Sequence, residues 1–99
     1  MDLRQMIEAW CEEHAPDESI LLADGFEGAF IGLGYNAGNE VRACYDIEQC
    51  IRIIMLQDEL SYEDAADYFA FNVQVAYVGD QTPIFVDRFS LRYPQQYLN

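Results

Sequence analysis

Leu3, Met6, Ile7, Trp10, Cys11 and His14 recur at i, i+3, i+4, i+7, i+8 and i+11, which places them on one face of a helix over residues 2–14. Asp2 stands at the helix start, where the macrodipole favours an anion. Glu8, Glu12 and Glu13 fall off the stripe and are expected in solvent. Pro16 ends the pattern, because it lacks an N–H and restricts the residue before it.

The period then changes to two. Ile20 to Ala23 reads as a short strand before an Asp24-Gly25 turn. From Glu27 the chain alternates, with Ala29, Ile31, Leu33 and Tyr35 on one face and Gly28, Phe30, Gly32 and Gly34 on the other. Asn36-Ala37-Gly38-Asn39 is a turn. Residues 40–45 return with Val41, Ala43 and Tyr45 alternating against Glu40, Arg42 and Cys44. The result is a hairpin with one glycine-rich face, the mark of a bulge or of a close approach by another group.

Asp46 and Gln49 have the spacing of a capping box, opening a second helix to about Leu60 with Ile47, Cys50, Ile51, Ile54 and Met55 on its buried side. Ser61 restarts a third helix. There Tyr62, Ala65, Ala66, Phe69, Val73, Ala76 and Tyr77 share a face, while Tyr68, Phe71, Val75 and Val78 project elsewhere. A helix so apolar around its girth meets neighbours on more than one side. Gly79 is placed to end it. Residues 83–89 read as a last strand, and 90–99 as a loosely ordered tail. The order α–β–β–(β)–α–α–β predicts one α+β domain over residues 1–99, with three helices against a small, mainly antiparallel sheet.

Composition narrows the partners. Ninety-nine residues suit one domain, and 52% hydrophobic with 14% aromatic excludes a disordered acidic tail. Eighteen acids against five arginines, with no lysine, give a net charge of -13. That argues against direct binding of nucleic acid, which draws on clustered cations, and against an anionic membrane surface. No apolar run reaches the roughly 18–20 residues of a membrane span. The first residues have no basic start or continuous apolar core of a signal peptide, so a cytoplasmic chain is expected. Cys11, Cys44 and Cys50, odd in number and irregular in spacing, read as reduced core thiols.

Candidate chemistry is sparse. Residues 32–38 superficially match a dinucleotide loop, but a strand follows instead of a helix. Cys11 and His14 have no metal-ligand spacing, and the serines no nucleophile elbow, so no catalytic, cofactor or metal residue is assigned. The densest charge is Asp58, Glu59, Glu63, Asp64 and Asp67, which reads as solvated helix surface or as a docking patch for a basic partner.

The stretches LLADGFEGAFIGLG, Tyr45-Asp46 and SYEDAADYFAFNVQVAYVGDQTPIFV resemble a family of small, functionally uncharacterised proteins of bacteriophages and mobile elements. The likeness covers roughly residues 21–87 and implies a phage-type accessory protein inside a bacterial cell. With the charge, it leads to a non-enzymatic acidic interaction protein as the expected function. Its carboxylates would mimic a nucleic-acid backbone and occupy the basic groove of a host nucleic-acid enzyme or defence system. The alternative is a small-molecule-binding protein or small enzyme, with Phe30, Tyr45 and Asn72 lining a pocket near the glycine-rich hairpin. Either is compatible with a homodimer through Phe71, Val75 and Val78.

Overall fold

The computed structural model describes residues 1–38 and 40–89; Asn39 of the hairpin turn and the 90–99 tail lie outside the described residues. The chain runs α1 (Leu3–His14), a 3₁₀ turn (Glu27–Ala29), β1 (Phe30–Tyr35), β2 (Val41–Asp46), α2 (Ile47–Asp58), α3 (Tyr62–Phe69), a π-helical turn (Ala70–Gln74) and β3 (Ile84–Val86). This is an α+β arrangement in the expected order. Residues 20–23 form no strand and join no ladder.

Each helix starts on a side-chain cap. Asp2 Oδ1 accepts from Gln5 N at 2.8 Å, and Asp2 N donates to Gln5 Oε1 at 3.0 Å, a reciprocal capping box. On α2 the Asp46 carboxylate accepts from Gln49 N at 2.8 Å, and on α3 the Ser61 hydroxyl accepts from Asp64 N at 3.2 Å. Only two of the six residues of the α1 stripe are covered: Ile7 and Cys11 are buried, whereas Leu3, Met6, Trp10 and His14 stay exposed. Arg4 ties this helix to the Asp24-Gly25 turn through Asp24 and Glu27.

Helix α2 ends at Asp58, two residues short of expectation. Glu59 turns left-handed (φ 53°), and Leu60 N donates to Met55 O at 3.2 Å, satisfying a carbonyl that the helix end leaves over. Helix α3 departs further from expectation. After Phe69 it widens into the π turn and stops, so Ala76 and Tyr77 lie exposed where burial was expected, and Tyr62 at its start is exposed as well. Gly79 therefore caps no helix; at φ 107° it opens a tight turn in which Thr82 N and Oγ1 both donate to its carbonyl.

The sheet order is β1-β2-β3. β1 and β2 form the expected antiparallel hairpin, whose turn is held by Asn36 Oδ1 accepting from Gly38 N at 2.8 Å. β3 joins β2 in parallel, so the sheet is mixed. A parallel neighbour needs a long crossover, and residues 47–83 with their two helices supply it. The central strand is the buried one. Ala43 and Tyr45 pack with Cys50, Ile51 and Ile54 of α2 and Ala65 and Phe69 of α3 in one core.

The glycine-rich face has both features its composition suggested. The register slips between Phe30 and Gly32: Phe30 opposes Tyr45, yet Gly32 opposes Cys44. This insertion corrects the expected alternation, because it moves Phe30 to the side shared by Leu33, Ala43 and Tyr45. Gly34 is close-packed instead: a Cβ there would meet Cys44 Sγ at 2.7 Å.

Two outcomes follow. Gly34→Ala should destabilise by about 1–3 kcal/mol through overpacking, and part of that loss should return in the Gly34→Ala/Cys44→Ala double variant, measured by urea unfolding; additive losses would contradict the contact. Glu59→Gly should stabilise by about 1 kcal/mol, the size of the left-handed penalty for a side chain with a Cβ; an unchanged urea midpoint would contradict it.

Candidate functional site

The junction of α2 and α3 gathers the acids that the sequence singled out. Asp58 is the last residue of α2, Glu59 its left-handed cap, Glu63 and Asp64 lie in the first turn of α3, and Asp67 one turn later. All five are exposed, and none makes an ion pair to an arginine among the described residues. A second group of acids, Asp2, Glu8, Glu12, Glu13, Asp17 and Glu18, is exposed as well. Two of the arginines, by contrast, are paired with acids at the surface: Arg4 meets Glu8 at 3.8 Å and Glu27 at 3.5 Å, and Arg42 meets Glu40 at 2.9 Å. The anionic surface is thereby left in excess.

The alternative pocket does not assemble as the sequence suggested. Phe30 and Tyr45 belong to an aromatic chain inside the fold: Trp10 to Phe30 at 6.0 Å, Phe30 to Tyr45 at 5.7 Å, Tyr45 to Phe85 at 6.0 Å and Phe85 to Phe69 at 5.2 Å between ring centroids. Asn72 is elsewhere, exposed on the π turn, its Nδ2 donating to Tyr68 O at 3.1 Å. The bulge puts Phe30 on the Tyr45 side of the sheet, whereas Asn72 stands exposed on the π turn.

What Asn72 does line is a groove of about 440 Å³ between segment 21–23, residues 72–78 and the start of β3 at Pro83 and Phe85. Its surface is apolar apart from Asn72 and Thr82, and the Thr82 hydroxyl is engaged by Val78 N at 2.9 Å and Gly79 O at 2.6 Å. Tyr45 sets its position from beneath: the buried hydroxyl accepts from Ala23 N at 2.8 Å, holding segment 21–23 against Phe85. The residues expected as a dimer face, Phe71, Val75 and Val78, are 77%, 71% and 59% exposed, and Val78 lines the groove. No sequence pattern marks this groove, since its apolar residues come from three separated segments and read as core.

The thiols are buried and unpaired with one another. Cys11 does not meet His14, whose ring stacks on Trp10 at 4.3 Å while its Nδ1 lies 2.9 Å from Trp10 O. Among the described residues no three His, Cys, Asp or Glu side chains converge as metal ligands, and no helix is long and apolar enough to cross a membrane. Burial pushes the Cys11 and Cys44 thiols and the Tyr45 phenol up; Cys50 is pushed up to about 12 by burial, with the nearby Asp46 charge adding to it.

Comparison with protein-family models, with curated proteins and with solved structures found no match to this chain. The site therefore rests on its own geometry.

The thiols give a signed prediction. Cys50 stays protonated in the fold but ionises near 9.0 once unfolded, so its contribution is full below pH 9 and is lost as pH rises toward 12. The urea midpoint should fall above pH 9, less steeply in Cys50→Ala, and iodoacetamide at pH 8 should label the native chain far more slowly than the unfolded one. A native thiol labelled at the unfolded rate would contradict the burial.

Proposed function

We propose that this chain is a non-enzymatic acidic interaction protein of phage type, acting in the cytoplasm of a bacterial host. It docks on the basic surface of a host nucleic-acid enzyme or defence component and occupies the groove that nucleic acid would take. The observation that carries this reading is the position of Asp58 and Glu59. They stand at the C-terminal end of α2, where the helix dipole is already negative, and are followed by Glu63 and Asp64 in the first turn of α3 and Asp67 one turn later. Folding gains nothing from anions at that end, and the like charges of Glu63 and Asp67, four residues apart on α3, oppose one another. A surface that retains them against stability has the character of a binding surface.

The mechanism is electrostatic complementarity. An exposed anionic face steers association with a cationic groove and then excludes the phosphate backbone from it. Exposed charges are screened beyond about 8 Å at physiological ionic strength, so binding weakens with salt. A second reading, small-molecule binding near the glycine-rich hairpin, has a hollow of about 100 Å³ lined by Gly34, Tyr35 and Arg42 in its favour. Ligand pockets typically run to about 300–1,000 Å³, and the Arg42 guanidinium there is already held by Glu40. The acidic reading is the better supported.

The test is capture from a bacterial lysate at low salt, elution by a salt gradient, and competition with nucleic acid for the recovered protein. A basic nucleic-acid enzyme whose nucleic acid is displaced is the expected result. In the Asp58→Asn/Glu59→Gln variant, stability should rise by about 0.3–1 kcal/mol per site while affinity and its salt dependence both fall. A partner that binds chain and nucleic acid together, or equally at low and high salt, would refute the proposal.

A further inference from the structure

We propose that the groove between segment 21–23, residues 72–78 and β3 is the docking site for a basic, amphipathic segment of a partner protein. The inference rests on the acidic-docking reading and gives it a place and a second recognition element. Leu21, Val73, Ala76, Val78 and Phe85 present an apolar channel of about 440 Å³, and the exposed Phe71 and Val75 extend the apolar surface along the same segment. Its two polar side chains are already engaged, Asn72 with Tyr68 O and Thr82 with the Gly79 turn. A polar small molecule finds few groups to orient it, whereas apolar side chains lose nothing by entering.

Charge selects among apolar occupants. No cation lines the groove, and Asp80 lies in the turn that carries Thr82, while Asp24, next to Ala23, is already paired with Arg4. A second copy would bring a further net charge of -13 against the first, which disfavours self-association through this face. A segment with apolar side chains on one side and Lys or Arg on the other fits both features, as in helix-in-groove recognition. The other large hollow, about 470 Å³ on the outer side of α2, is lined by Arg52 and repels such a segment. The π turn also singles out this channel, since such turns are rare and recur at functional sites, and it carries Asn72 and Val73 into the lining.

The test uses two synthetic peptides of equal positive charge, an amphipathic leucine–lysine helix and a lysine–serine peptide, titrated into the isotope-labelled chain at low salt. The leucine–lysine peptide should shift the amides of Leu22, Val73, Ala76 and Phe85. The lysine–serine peptide should bind more weakly, with its shifts at residues 58–67. Ala76→Gln, uncharged and at an exposed position, should weaken the first peptide about tenfold and leave the second unchanged. Equal binding of the two peptides, both insensitive to Ala76→Gln, would overturn the groove while leaving the acidic reading intact. Binding of neither would overturn both. A dimer in sedimentation that Ala76→Gln dissociates would put a second copy in the groove and refute the basic segment.

Discussion

The hydroxyl of Tyr45 accepting the Ala23 N–H at 2.8 Å is the contact on which the arrangement turns. Tyr45 sits on the central strand, almost wholly buried, and its ring touches Phe30 on one side and Phe85 on the other. The hydroxyl thus fixes a segment that belongs to no ladder, while the ring joins the hairpin to β3. A buried phenol requires such a partner, and a segment without a sheet requires such an acceptor. Each need answers the other. Without the bond, the Ala23 N–H loses its partner and segment 21–23 is held on that side of the groove only by apolar contact and the turn that follows it.

Around this centre, stability and surface charge are separated. The core is apolar and continuous from Ala29 through Phe69, and the caps at Asp2, Asp46 and Ser61 start the helices. Most of the acids lie outside that framework. The first-turn acids Glu63 and Asp64 gain from the dipole of α3, but Asp58 and Glu59 oppose that of α2. A net charge of -13 is thereby carried by a fold that depends on few of the groups bearing it.

Much of this was legible in the sequence where the cause was local. Caps, the hairpin turn and the apolar stripe of α2 depend on residues within one or two turns of each other. The five acids of the α2–α3 junction could be placed on the surface for the same reason. Non-local causes were not legible. The glycines signalled a bulge but not the residue inserted, so Phe30 was assigned to the wrong face. Parallel pairing of β3 is decided by a crossover of two helices, and the π turn at Ala70–Gln74 looks like ordinary helix in periodicity. The bulge puts Phe30 beside Tyr45, Asn72 stands on the π turn, and the groove that Asn72 lines draws on residues from Leu21 to Phe85.

Amide hydrogen exchange at Ala23 tests the central contact most directly, because no strand or helix otherwise protects that N–H. In the wild-type chain it should exchange far more slowly than the amides of the neighbouring Asp24-Gly25 turn, and Tyr45→Phe should bring it to the turn's rate. An Ala23 amide that already exchanges like an exposed turn in the wild type would contradict the account.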